Sequence, residues 1–245
     1  MKLFITIIIV CFNSLIVSAR EKGETEITTE EGIEVFQNEK YYLLKKNVKI
    51  KSDSLILNAD NVKINFDKNL YDITELNAKG DVYFNSEEFQ MKGVADILKF
   101  EVKNQKLRLE GDGSELITQD TEMYSDGIIK VNNFNGKFSL SGLNSKLVSE
   151  NILIKAGSIN GVFSEISNVK EISLLNVVDE KISYIKNNDI EMYAKKINYN
   201  NDTAIIELID EVTIIRSEES ITGDYGTLDT TNNSYKIKSN NKKKS

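Results

Sequence analysis

Apolar and polar residues alternate along most of this chain. Val82 and Phe84, for example, are flanked by Asp81, Tyr83 and Asn85, and similar short runs recur from Arg20 onward with polar clusters between them. Side chains of a strand point alternately to opposite faces, so this period is typical of strands with one buried face. Almost no helical period is present. We therefore predict an all-β fold built from short antiparallel strands.

Three stretches repeat one spacing of apolar and small residues. The matching sets are Val48, Ile50, Leu57, Ala59, Ile64 and Ile73, then Val82, Phe84, Met91, Gly93, Leu98 and Leu107, then Val212, Ile214, Ile221, Gly223, Leu228 and Ile237. Each set encloses a polar tip, at 51–54, 85–88 and 217–219, where we expect a turn. The spacing indicates an internal repeat of one hairpin plan.

The residues that carry most enzyme chemistry are scarce. The chain has no histidine and a single cysteine, Cys11, which excludes a histidine base, a cysteine-cluster metal site and an internal disulfide. Glu87-Glu88 and Glu218-Glu219 lie in predicted turns, and adjacent side chains diverge in a strand, so we interpret them as solvated turn residues. We predict no catalytic residue, no metal site and no cofactor.

The charge and the first residues bear on location and partners. The formal charge of −7 argues against a nucleic-acid partner, because phosphate binding needs a basic surface. Residues 1–19 have a positive start, an apolar run that contains Cys11, and small residues before Arg20. This pattern predicts a signal peptide cleaved after Ala19, with an uncleaved anchor as the alternative.

The remaining chain shows no low-complexity linker. We predict a β region at 20–178, with the clearest repeat at 47–110, and a second β region at 179–240 continuous with the first. A boundary near 175–185 is the alternative. The tail at 241–245 contains Lys242 to Lys244 and is interpreted as a solvated basic end.

Two regions carry a recognisable cadence. A small residue and Asp (Ala59-Asp60, Ala95-Asp96, Gly223-Asp224) precede an aliphatic strand, a turn, and a strand that begins Gly-Asp-Val or Glu-Val. Residues 47–110 and 188–238 thereby resemble the OstA-like domain of the LptA-like lipopolysaccharide-transport proteins. The resemblance implies a β-jellyroll of two antiparallel sheets that form an open, elongated V.

The resemblance also implies a function. Such a protein would work in the periplasm, shield the acyl chains of lipopolysaccharide (lipid A) in an apolar groove, and associate end to end by strand pairing. Its partners would be an inner-membrane LptC-like protein and an outer-membrane LptD-like protein. The expected groove residues are Val48, Ile50, Leu57, Val82, Phe84, Phe89, Met91, Val212, Ile214 and Ile221. For each of them, ordinary buried core is the competing interpretation.

Three alternatives stay open. The chain could be the LptC-like partner of the same pathway, a secreted structural or adhesive β protein, or an enzyme on a β scaffold. A solenoid should repeat at constant length, whereas the three copies begin 34 and 130 residues apart. No nucleophile and base pair supports the enzyme.

Overall fold

The described part of the protein is built from antiparallel strands. The computed structural model describes residues 25–150, 152–166 and 169–239, so the predicted signal peptide with Cys11 and the basic tail lie outside the described residues. The strands are β1 Glu26–Thr28, β2 Ile33–Phe36, β3 Tyr41–Lys51, β4 Leu55–Phe66, β5 Ile73–Ser86, β6 Met91–Glu101, β7 Lys106–Glu110, β8 Ser114–Thr118, β9 Thr121–Ser125, β10 Ile128–Asn132, β11 Lys137–Ser149, β12 Ile152–Ile166, β13 Val169–Asn187, β14 Ile190–Asn200, β15 Ile205–Arg216, β16 Glu219–Asp229 and β17 Ser234–Lys238. The all-β prediction is confirmed. In the described ranges, no helix is long and apolar enough to cross a membrane.

Neighbours in sequence are neighbours in the sheet. Strands β2 to β6 pair in order, and β11 to β17 do the same. Between these two runs, β6 pairs with β7 and β8, and β11 pairs with β10 and β9. Strand β13 spans residue 178, and its pairing with β12 and β14 shifts register after Val178.

Each long strand bends in its middle and contributes to two layers. The pairing register shifts at each bend, for example between Lys45 and Val48 in β3 and between Lys79 and Val82 in β5. The halves that contain 41–45, 61–66, 73–79 and 97–101 form one layer, termed layer A, together with β7 and β10. The halves that contain 48–51, 55–59, 82–86 and 91–95 form layer B, with β8 and β9. Layer B continues from β9 through the halves that contain 145–149, 152–155, 183–187, 190–193, 212–216 and 219–223. This is the antiparallel jellyroll of the prediction, in which both sheets share the same strands.

The sequence cadence shared with the OstA-like domain lies at these bends. Gly80 and Asp81 have φ of +79° and +42°, and Asp210 and Glu211 have φ of +62° and +54°. Two left-handed residues on one strand oppose a single residue on its neighbour, which is a β-bulge and turns the strand. Gly, Asn and Asp tolerate this conformation best, which explains Gly80-Asp81 in β5 and Asn47, with φ of +50°, in β3.

The repeat predicted from spacing has one register difference. Val48 pairs with Ala59 and Val212 pairs with Gly223, but Val82 pairs with Ala95 rather than Gly93. The second hairpin is longer because its turn occupies 87–90, so Phe89 lies in the turn and not in the return strand. The small residue followed by Asp is therefore the equivalent position in all three copies.

The interior between the layers holds the hydrophobic core. Side chains from both layers are buried in one cluster, and the largest fully buried ones include Leu109, Leu116, Met123, Ile154 and Ile190. Because these residues come from strands in the middle of the chain, the interior there is filled by side chains.

Candidate functional site: an apolar cavity between the layers

One end of the interior is open. A cavity of about 410 Å³ lies between the two layers at strands β4 to β7. Layer B contributes Leu57, Phe84 and Met91, and layer A contributes Leu76, Leu98, Phe100 and Leu107. Its size falls within the roughly 300–1,000 Å³ of sites that bind small molecules. The lining can therefore hold an apolar group.

Aromatic rings shape the cavity floor and mouth. The rings of Phe89 and Phe100, one from each side of the cavity, have centroids 5.5 Å apart. Phe84 lies over Gly93, where an added Cβ would be 2.8 Å from the Phe84 ring. A small residue at Gly93 thus leaves room for a large ring that faces the opposite layer.

The mouth of the cavity carries exposed apolar residues. Tyr71 is 92% exposed and Val102 is 40% exposed, and both border the cavity at the edge of layer A. Ile73 lies beside them and is also exposed. These apolar residues form one part of the rim, and Asp72 and Glu88 also border the cavity.

The polar groups near the mouth are used by turns. Ser86 Oγ accepts a hydrogen bond from the Phe89 amide at 3.3 Å, and Ser52 Oγ accepts one from the Leu55 amide at 3.1 Å. Asp72 accepts a hydrogen bond from the Lys68 amide at 3.3 Å. Each of these groups fixes its own hairpin end, and their arrangement contains no nucleophile beside a base.

The sequence-predicted residues occupy three environments. Leu57, Phe84, Phe89 and Met91 line the cavity. The other members of layer B are either buried in the packed interior or exposed at its margin; the buried ones are Val48, Ile50, Val82, Val212 and Ile214, and the exposed one is Ile221. The structure thus brings four of the ten residues together at one opening.

Ile221 is exposed because layer B ends at its strand. Strand β17 pairs only with Tyr225–Asp229 of β16, so Glu219–Gly223 has β15 as its single neighbour among the described strands. At the opposite end of the molecule, β1 and β2 are short strands that pair with β3. Both ends consequently present strand edges.

Sequence reasoning missed the layer A half of the lining. Leu98 and Leu107 belong to the repeat, but its spacing does not show that they line the cavity, because this depends on where the strands bend. Tyr71 and Val102 stand in the turns that follow β4 and β6, and an apolar residue in a turn is the signal that could have identified the rim.

A second, polar opening lies farther along the interior. A cavity of about 250 Å³ between the layers is bordered by Ser149, Glu171, Asn187 and Tyr199. Burial raises the pKa of Tyr199, whose hydroxyl donates to Asn201 Oδ1 at 2.8 Å. The gap between the layers therefore changes from apolar at β4–β7 to polar at β11–β16. Across the described residues, no group of three or more acidic, histidine or cysteine side chains could hold a metal ion.

Comparison with known proteins identifies part of the chain. A family model described as "LptA/(LptD N-terminal domain) LPS transport protein" matches residues 26–133. A search of the curated proteins finds no match. Among solved structures, the chain is similar to LptH, described as the LptA homologous periplasmic component of the lipopolysaccharide transport device from Pseudomonas aeruginosa. The identity is 14%, the TM-score is 0.38, and the match covers 45% of this chain and 76% of LptH. A structural similarity of this size carries no argument about function. The family match confirms the resemblance over the first of the two regions that showed it, and the matched residues, 26–133, include the whole lining of the cavity.

Proposed function

We propose that this chain, whose residues 26–133 match the family model of LptA and the LptD N-terminal domain, carries lipopolysaccharide by holding its acyl chains in the cavity between the layers. The observation that supports this most directly is the apolar cavity with an exposed apolar rim at β4–β7. Exposing an acyl chain to water costs about 0.8 kcal/mol per CH₂. A segment of ten carbons inside the cavity would thus be favoured by roughly 8 kcal/mol, before the costs of binding are subtracted.

The strand edges support end-to-end assembly. Among the described strands, Glu219–Gly223 of β16 pairs on one side only, and β2 exposes Ile33 and Val35 at the other end. Unpaired backbone groups of an edge strand can pair with another chain. In our proposal, copies join by these edges, with an LptC-like protein and an LptD-like protein at the two ends of the assembly.

Export with a cleaved signal peptide completes the proposal. Residues 1–19 would direct the chain to the periplasm and be removed after Ala19. An LptC-like partner would instead keep this segment as an anchor. Sequencing the amino terminus of the exported protein distinguishes the two, because a cleaved carrier begins at Arg20.

The methionines allow a direct test of acyl-chain binding. Met91 lines the cavity, whereas Met123 and Met192 are fully buried in the filled interior. Protein grown with photo-methionine is irradiated together with lipopolysaccharide, and the peptides are mapped by mass spectrometry. We expect lipid adducts on the Met91 peptide and not on the Met123 or Met192 peptides.

The buried methionines are an internal control because all three residues carry the same reactive group. Adducts spread equally over the three peptides, or none on any of them, would contradict acyl-chain binding in this cavity.

A further inference from the structure

The outer face of layer A carries a concavity that the proposed function does not use. It encloses about 840 Å³ and is crossed by a row of basic residues on neighbouring strands. Lys99 of β6 pairs in register with Arg108 of β7, which pairs with Lys130 of β10. Lys106 and Lys137 border the same concavity nearer the hairpin ends. We refer to these five residues as the cationic shelf.

The shelf places like charges side by side. Neighbouring strands are about 4.8 Å apart, and like charges directly opposite each other destabilise an antiparallel pair. Glu75 Oε2 lies 2.7 Å from Lys99 Nζ, and Glu110 Oε2 lies 2.8 Å from Arg108 Nη2. Two of the three cations of the row are therefore paired with a carboxylate. Within the part of the chain that the structure describes, no carboxylate pairs with Lys130 or Lys137.

The shelf therefore has an unmatched positive charge in a protein whose formal charge is −7. Asn160 and Asn176 continue the row across β12 and β13 and add amide groups to the same concavity. Two free ammonium groups beside amides are suited to an anion that also carries hydroxyl groups, such as a phosphorylated sugar.

The shelf and the apolar cavity lie on opposite sides of strands β6 and β7. Leu107 borders both, and strands β6 and β7 are the wall between them. The hairpin that joins these strands carries Val102 at the cavity mouth, and Lys106 at the shelf begins β7 four residues later. A lipid with acyl chains in the cavity would leave at this hairpin, so its headgroup would reach the shelf.

We propose that the cationic shelf binds the phosphate groups of the sugar headgroup of the lipid whose acyl chains occupy the cavity. Lys130 and Lys137 donate hydrogen bonds to the phosphate oxygens, and the amides of Asn160 and Asn176 bind sugar hydroxyls. This inference rests on the proposed function, because it assigns the second half of the same ligand.

The experiment compares lipid A in its bisphosphorylated and dephosphorylated forms with identical acyl chains. The full chain and the variant Lys130→Gln/Lys137→Gln are titrated with both lipids. The control is Lys49→Gln/Lys92→Gln, which removes two exposed lysines from the outer face of layer B and changes the net charge equally.

We expect the shelf variant to bind bisphosphorylated lipid A about 25-fold more weakly, since each pair of unit charges about 4 Å apart in water contributes roughly a factor of five. Its affinity for the dephosphorylated lipid should not change, and the control variant should bind both lipids as the parent chain does.

The possible failures are distinct. If the parent chain does not bind the dephosphorylated lipid, the cavity proposal fails. If it does, but the shelf variant and the control lose affinity equally, or the shelf variant loses none, the shelf proposal is overturned. The shelf proposal is also overturned if the shelf variant keeps its affinity for lipid A but no longer binds vesicles of anionic phospholipid without lipid A. The shelf would then be a contact with a bilayer surface. Displacement of bisphosphorylated lipid A by millimolar inorganic phosphate, with dephosphorylated lipid still bound, would support the shelf.

Discussion

The bend in β5 allows a quantitative test of how the two layers are joined. Gly80 has φ of +79°, and a Cβ added there would lie 2.1 Å from Asp60 Oδ2 and 2.8 Å from Asp60 Cβ. Replacing Gly80 by alanine costs about 1 kcal/mol for the left-handed backbone. Moving the Asp60 side chain off its position costs about another 1 kcal/mol. The total is close to 2 kcal/mol.

Gly113 is the matched control. Its φ is +76°, but no heavy atom lies within 4 Å of an added Cβ. Gly113→Ala should therefore cost about 1 kcal/mol from the backbone alone. Alanine also restricts the unfolded chain, which offsets part of the loss, but this contribution is common to both variants and cancels in their difference.

Urea unfolding measures the difference. We expect Gly80→Ala to lower the midpoint more than Gly113→Ala, with an unchanged slope and a difference of about 1 kcal/mol. Combining Gly80→Ala with Asp60→Ala should recover part of that difference, because the carboxyl group is gone while the Cβ of residue 60 stays close to the added methyl group. Equal destabilisation by the two glycine variants, or no recovery in the double variant, would refute the role of Asp60 at the bend.

Three further predictions concern the cavity, an ion pair and the strand edge. Phe84→Ala removes a nearly buried ring at the cavity and should lower the free energy of unfolding by about 3 kcal/mol in urea; a loss below 1 kcal/mol would mean the ring is not packed. The hydrogen bond from Asn77 and the ion pair with Lys99 lower the pKa of Glu75 from its ordinary value of 4.5. The carboxylate therefore adds to the free energy of unfolding above pH 4.5, and this stabilisation is lost as the pH falls through the lower pKa of the folded state. Glu75→Gln should thus be less stable than the parent at pH 6, by less than about 1 kcal/mol because the pair is partly exposed, and equally stable at the acid end of the titration, whereas a constant difference at every pH would contradict this. Val35→Lys should abolish self-association in sedimentation experiments while Val94→Lys, at a similarly exposed site on a central strand, should not; loss in neither or in both would argue against pairing through β2.

Local patterns predicted the strands and turns but not the cavity. Alternation around Val82 and Phe84 predicts a strand with one buried face, since that property depends only on neighbours in sequence. Whether Phe84 meets a facing side chain or a gap depends on Leu76, Leu98 and Phe100, which face it only because β5 and β6 both bend. Val48 and Leu57 have the same pattern and face the same layer, yet only Leu57 lines the opening. Alignment by spacing also matches Val82 with Gly93, two residues away from its actual partner Ala95, because the length of the turn at 87–90 cannot be read from the apolar positions.

The sharing of strands between the layers determines how the cavity can widen. The hydrogen bonds of each ladder join neighbouring strands within a layer, and none of these ladders runs from layer A to layer B across the cavity. Moving the two free margins apart changes backbone dihedrals at the bulges and leaves the ladders intact. We therefore expect the gap between the two layers to widen more easily than either layer stretches across its hydrogen-bonded strands. A bulky guest can be admitted by flexing at residues such as Gly80 and Asp81, without local unfolding of either sheet.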